Sequence, residues 1–519
     1  MADITYTVLV DWDNDGDYGD TGEDISARVL EAKWFRGRDD ESQLTGRSVA
    51  GACELLLNNA SGDYSRHNTS SPLTGLLLPG RSIQIQAGSA DFPYEFPIVF
   101  NDNVVWTGTL LRLETIVDAI NPGQFARLVG VGPLGLINER VVRLAMQTSI
   151  LTGALWDAIL DEIGWPSGDR NTDTGQTTIT RYWTGEIRGL TALQQVEASE
   201  GGFGWEGKKG EINFSNRHAR LAGNALVSQA TFSDASGAAL SYSAIREGDP
   251  LPGLFNIFSV PVQRYTVGSL ATLWTLSESG ANSPSIKPGD TKTFWARYPN
   301  PDSGTDAVAV DAWTTLVENT DYEANTESGG GGTDRSASLS LVLTKFATAM
   351  KIAITNDHAT DTVFITLLQA RGTPVTADDP VTIQSEDATS KTAFGERTWP
   401  SPPLFIPDTD EAQNWCDFNL AIYKDPIPKL PMTVIASRDS AHRAQALTRD
   451  ISDRITVVAN NGANFGHSGI DCFIEWERHE VSRVNEIHKV TWGLSGAEAF
   501  SDWFVWGTSK WGTTTRWAY

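Results

Sequence analysis

The 519-residue chain carries 65 acidic against 40 basic residues, a formal charge of −25, and is 40% hydrophobic with 18 Trp and 20 Phe. That length asks for roughly three to four domains, and the apolar content fills several cores, which excludes wholesale disorder. The acidic balance argues against specific nucleic-acid binding, which needs clustered Lys and Arg.

The chain starts as MADITYTVLVDW, with Asp3 where a signal peptide would be basic, so none is predicted. Next comes DWDNDGDYGDTGED, where Asp11, Asp13, Asp15, Asp17 and Asp20 crowd around Gly16. Asp11-x-Asp13-x-Asp15-Gly16 matches the first half of a calcium loop, in which alternate oxygens converge on a hard cation. The twelfth position is Gly22 rather than Glu, and a strand precedes the run, so a solvated turn is the preferred reading. Calcium on Asp11, Asp13 and Asp15 is kept as its alternative. A catalytic carboxylate pair would need burial and a fixed separation that so polar a loop does not offer.

Short alternating runs (ITYTVLVDW, RSIQIQA, NVVWTGTLLRLE, DRITVVAN, HKVTWGL) separated by Gly, Asn, Asp and Pro predict a mainly β protein with minor α. Alternation in VVWTGTLLRLE puts Trp106, Leu110 and Leu113 on a buried face. GVGPLG (Gly130–Gly135) fits a dinucleotide fingerprint, but Pro133 lies inside it and no helix is predicted to follow, so that reading is set aside. Helical spacing appears in TGALWDAILDEIGW, LTALQQVEASEGG, EAQNWCDFNLAIY and SAHRAQALTRDIS. The stretch 305–375, with SASLSLVLTKF, AMKIAITND and TVFITLLQARG, predicts an inserted β-sandwich with Phe346 and Phe364 in its core. The SGGGGT segment within it predicts a flexible surface loop.

The seven histidines (His67, His218, His358, His442, His467, His479, His488) form no HxH, HExxH or zinc spacing, and no GxSxG or SxxK occurs. His479 and His488 flank one hairpin turn and are predicted neighbours in a structural role. Cys53, Cys416 and Cys472, far apart, predict reduced buried thiols. No run of about 18 apolar residues predicts a membrane span. In FSDWFVWGTSKWGTTTRWAY, Trp503, Trp506, Trp511 and Trp517 predict a hairpin with one aromatic face, a candidate subunit contact.

Several segments in order resemble minor tail proteins of long-tailed bacteriophages and prophages, of the tail-tip or baseplate hub class. They are DWDNDGDYGDTGEDISARVLEAKWFRGRDD, LLLNNASGDYSRHNTSSPLTGLLLPGRSIQI with VVWTGTLLRLE, LWDAILDEIGWPSGDRNTDTG, ALQQVEASEGGFGWEGKKGEINFSNRH, and FIEWERHEVSRVNEIHKVTWGLS with FVWGTSKWGTTTRWAY. The resemblance covers nearly the whole chain and is weakest across 300–380. It implies a multidomain fold: a tube-like β-barrel over 1–145, an α+β segment over 146–240, a second barrel-like domain from 241–304 and 376–495, the sandwich at 305–375 and the Trp-rich hairpin at 496–519. It further implies a non-enzymatic virion protein assembled in the host cytoplasm. A homotrimer would close the tail tube, adapt six-fold to three-fold symmetry, contact tube and distal tail proteins, and anchor fibres or receptor-binding proteins. DNA would pass without specific binding through a lumen that three copies, carrying −75 together, keep acidic. A carbohydrate- or receptor-binding adhesion protein using the sandwich is the alternative, and an envelope hydrolase a more distant one; with no hydrolase segment at the C-terminus, cell-wall degradation is expected from another protein.

Overall fold

The computed structural model of the protein describes residues 4–39, 47–89, 104–118, 123–247, 251–299, 307–427, 429–459 and 467–500. The four tryptophans at 503, 506, 511 and 517 lie outside them. The molecule is mainly β and multidomain, with six α-helices among the described residues.

Six antiparallel strands in the order Ile4–Val10, Ser82–Ser89, Val104–Asp118, Gly123–Val131, Ala52–Asn58 and Val29–Asp39 surround the first core. Flat, six strands would hold their outer members about 24 Å apart. Yet the Tyr6 ring on the first strand lies 5.9 Å from Trp34 on the last, so the sheet wraps into a barrel-like layer. Its filling is Val8, Val10, Trp34, Leu55, Leu57, Ile83, Ile85, Leu110 and Leu128. Trp106, Leu110 and Leu113 are all buried, as expected. A bulge between Leu110 and Arg112 shifts the phase so that both even and odd positions turn inward.

A second set of six strands runs Thr231–Ser233, Arg454–Ala459, His467–Ser482, Ile487–Gly496, Met432–Ile435 and Ala244–Ile245. It curls over a core of its own: Ser233, on its first strand, donates its N–H to Leu240 O (3.0 Å), four residues before its last strand, and Phe232 meets Trp492 on the fourth at 5.5 Å. The two sets are one continuous sheet, because Val29–Asp39 pairs antiparallel with His467–Ser482 from Glu31↔Ser482 to Gly37↔Trp476.

Over this seam lies an α+β layer with helices Thr152–Glu162 and Gly189–Glu200, the second closed by Gly201 at φ 65°. Its core includes Trp156, Ile159, Leu193 and Phe214. The helices predicted near 411–423 and 440–452 occupy Thr409–Tyr423 and Ser440–Thr448. Two further helices, Pro133–Glu139 and Ala388–Phe394, carry too few turns to show a period. The first corrects the expectation that no helix follows Gly132: proline at the first helical position needs no N–H partner.

The sandwich stands on a two-stranded stem, Ile257–Val262 against Val381–Glu386, braced by Phe258, Trp399 and Trp415. Its larger sheet is organised around the long strand Val363–Ala377. The smaller one has the order Thr291–Arg297, Ala349–Asn356, Leu339–Lys345. Strands from Tyr265 onward therefore belong to the sandwich, including Thr291–Arg297, which corrects the boundary at 305 and the expectation of a second barrel-like domain over 241–304. Met350, Ile352 and Ile354 face Val363, Ile365 and Ala370 in the core. Phe346 and Phe364 are only half-buried, which corrects their core assignment. Phe364 alternates outward between buried Val363 and Ile365, and Phe346 sits at a turn.

Candidate functional site

Pairing at the seam puts alternate residues of two strands on one buried face. Trp34 lies opposite His479 and Arg36 opposite Glu477; one step further, Arg38 reaches Glu475. Each pair is in contact. Trp34 stacks on His479 at 4.6 Å and 8°, Arg36 Nε donates to Glu477 Oε1 (2.6 Å), and Arg38 Nη1 donates to Glu475 Oε2 (2.9 Å). Glycine is required between the arginines: Gly37 has φ 137°, and a Cβ there would lie 2.4 Å from Trp476 Cα.

Other elements converge on this ladder. Arg220 grips Glu475 through both nitrogens (2.6 and 2.9 Å), with its guanidinium between the rings of Phe203 and Phe473. Glu197, on the helix Gly189–Glu200, accepts from Ser48 N, Ser48 Oγ and Gly204 N and lies 3.5 Å from Arg38. At the other end Tyr6 Oη meets His488 Nδ1 (2.6 Å), whose Nε2 meets His479 Nδ1 (2.9 Å). The predicted neighbours His479 and His488 thus link the first strand of one barrel to the last hairpin of the other.

Burial sets the electrostatics. It raises the Glu475 carboxyl, but Arg220 and Arg38 outweigh it and hold the group down to about 2. Glu477 follows the same logic with Arg36 and sits far below the usual range. Burial keeps both histidines below their ordinary value. With Arg36, Arg38, Glu197, Glu475 and Glu477 at most 4% exposed, the ladder offers no opening to a substrate. It is a joint.

The GVGPLG glycines carry a related device. The helix opening at Pro133 directs the Leu134 N–H at the Glu206 carboxylate (2.7 Å), whose other oxygen accepts from Gly51 N–H, just before the strand Ala52–Asn58 (2.9 Å). A Cβ on Gly132 would lie 2.0 Å from that carboxylate. The place a pyrophosphate would take in a dinucleotide fold is filled by Glu206, whose burial pushes it up to about 7.

In the acidic loop, Asp11, Asp13 and Asp15 bring carboxylate oxygens within 4.8 Å of one another. Asp11 is buried and accepts from Asn14 N, Asp15 N and Gly16 N. Asp13, Asp15 and Asp17 each accept one backbone N–H two residues on, a succession of Asx turns. Glu23 closes the loop through Trp12 N and Asp20 N. Loss of hydration, then the neighbouring Asp15 charge, raises Asp13.

One arrangement was not legible in the sequence. His442 Nδ1 contacts Asp439 (2.7 Å) and its Nε2 lies 3.2 Å from Ser241 Oγ, in the order of a hydrolase triad. Ser241 N–H, however, donates to the same Nε2 at 2.9 Å. The lone pair a general base needs is already engaged, so the imidazole ties Ser241 to the helix Ser440–Thr448. The three cysteines are free and buried, and burial pushes their thiols up, Cys416 and Cys472 to about 12. Among the described residues no helix is long and apolar enough to cross a membrane.

No protein-family model matches the chain, and no curated protein matches it. Among solved structures it is similar to the 43 kDa tail protein of prophage MuSo2 from Shewanella oneidensis, at 8% identity over 95% of this chain and 98% of that one, with a TM-score of 0.48. A tail protein from Neisseria meningitidis MC58 aligns over 94% and 96% at 10% identity and a TM-score of 0.46. Prophage tail protein gp18 from Listeria monocytogenes EGD-e aligns over 95% and 94% at 9% identity and a TM-score of 0.36. Each of these three solved structures is a tail protein.

Proposed function

We propose that the chain is a structural component of a phage tail tip, a hub or minor tail protein that works mechanically. The observation that carries this reading is the fusion of two six-stranded barrels into one sheet through a single strand pair, locked by a buried ion ladder. Three such chains bring six barrels into a ring, which lets a three-fold tip meet a six-fold tube. The acidic surface suits a lumen that DNA crosses without adhering. Tube and distal tail proteins, and fibres or receptor-binding proteins, are the partners this role requires. Mass photometry and electron microscopy of tails labelled on this chain provide the test. A particle of about 169 kDa, three chains of 56.4 kDa, and a ring at the tip are expected; a persistent monomer that never enters tails would overturn the reading.

A second reading, adhesion through the sandwich, is favoured by one observation. Trp295 is 48% exposed on the outer face of the smaller sheet.

A further inference from the structure

We propose that the outer face of the smaller sandwich sheet binds an oligosaccharide bearing an acidic substituent, with Trp295 as the stacking platform and Arg297 and Lys351 reading the acid. The proposal rests on, and deepens, the reading of the sandwich as a contact module. Alternation along Thr291–Arg297, Ala349–Asn356 and Leu339–Lys345 sends Phe294, Ala296, Met350, Ile352 and Ile354 into the core. The opposite set, which includes Thr293, Trp295, Arg297, Lys351 and Val342, faces outward.

Three features of this face select the ligand. The first is an exposed, braced aromatic. Trp295 stacks with Phe346 at 6.1 Å and 20°, so its orientation is set while nearly half of it remains open. A sugar ring offers C–H bonds on one side for such a surface and hydroxyls at its rim, which the threonines beside Trp295 can meet.

The second is charge. In a chain with 65 acidic and 40 basic residues, none of the outward positions on these three strands is Asp or Glu. Arg297 is two residues from Trp295 on the same strand, and Lys351 lies directly across from it. Neither cation forms an ion pair with a carboxylate among the described residues. A phosphate or uronate carried by the sugar supplies the missing counter-charge.

The third is size. Three strands span about 10 Å across and seven residues about 20 Å along, on the order of 200 Å². A standard protein partner covers about 800 Å² on each side. The face is too small for a folded partner and suits a few sugar rings.

The test uses the full chain against an array carrying neutral, uronate-bearing and phosphate-bearing oligosaccharides, followed by titration calorimetry with the acidic oligosaccharide bound best. We expect binding to acidic members, an affinity loss of at least tenfold in Trp295→Ala and a smaller one in Trp295→Phe. Lys351→Gln with Arg297→Gln should reduce acidic ligands to the level of their neutral counterparts, and Leu270→Ala, an exposed sandwich residue away from these strands, should change nothing. No binding to any oligosaccharide, undiminished binding by Trp295→Ala, or retention of a tail protein but no glycan would each overturn the proposal. Incorporation of the same variants into tails is scored in parallel: the tail role fails if the unaltered chain is excluded from tails, whereas Trp295→Ala should be incorporated and fail only in glycan binding.

Discussion

The seam between the barrels and the inserted sandwich solve the same problem, joining two layers of sheet, by opposite means. The sandwich uses apolar interdigitation, with Met350, Ile352 and Ile354 against Val363, Ile365 and Ala370, and reaches the body through a stem, a small apolar cluster of Ala309, Ala347 and Val375 with Met146 and Trp183, and polar contacts such as Arg181–Asp311 at 3.0 Å. The seam buries three arginines against acidic partners at positions where aliphatic residues would pack as tightly. Apolar cores tolerate many substitutions of similar volume. A buried ion ladder tolerates few, because each charge left without its partner is costly, and it fixes one register between the strands. The seam thus holds the body to one geometry, whereas the core of the sandwich should accept substitutions of similar volume.

The largest expected effect breaks the ladder. Glu475→Ala removes the buried carboxylate that Arg220 grips and one of the two beside Arg38, which keeps Glu197, and should cost about 3–5 kcal/mol. Calorimetry should show the body's transition collapsing while the sandwich, whose core contains none of these residues, melts nearly unchanged. A loss below about 1 kcal/mol would mean that the seam is held by its backbone pairing alone.

Acid sharpens the same contrast. His479 and His488 are held below their ordinary value, so the unfolded chain binds protons that the folded one refuses. Their contribution is complete above about pH 6.5 and is lost as pH falls, by up to about 2 kcal/mol per histidine between pH 6.5 and 5. Glu475, held down to about 2, adds a further loss with the same sign once pH drops below about 4.5. Urea midpoints at pH 7.5 and 5.0 read the first step; equal midpoints would show that the histidines titrate freely.

The sandwich should be removable. Val262 and Val381 are register partners in the stem, so replacing 263–380 with Asn-Gly, a two-residue hairpin turn, closes the ribbon without strain. The excision forfeits the Arg181–Asp311 and Trp183–Tyr265 contacts and the packing of Met146 and Trp183 against Ala309, Ala347 and Val375, roughly 2–3 kcal/mol in all. The body should keep its helix and strand signature by circular dichroism, and aggregation of the excised chain would show that the sandwich shields part of it.

What could be read in advance followed sequence distance. Helices such as Thr152–Glu162 announce themselves because Leu155, Ile159 and Leu160 recur at helical spacing within two turns. The ladder was written just as plainly, as W-x-R-x-R at 34–38 and E-x-E-x-H at 475–479. Its two halves lie more than four hundred residues apart, and period-two charge reads as a solvated strand until a partner of opposite sign is placed opposite it. The exposed Trp295 was hidden for a related reason. Its strand lies before residue 305, and only the pairing of Trp295 with Lys351 brings it into the sandwich.

Chelation gives the smallest expected effect and concerns the first barrel's acidic loop. Asp11 already satisfies three backbone N–H groups, while Asp13 and Asp15 each accept one and are exposed. A loop held by these turns should keep its melting temperature within about 1 °C when EDTA is added, because no ligand-linked stabilisation is removed. Substitutions should then rank by bonds accepted: Asp11→Ala about 1–2 kcal/mol, Asp13→Ala and Asp15→Ala about 0.5 kcal/mol. A bound cation would reverse both results. EDTA would lower the melting temperature by several degrees, calcium would restore it, and the three substitutions would become equivalent, since each would remove one ligand of a shared ion.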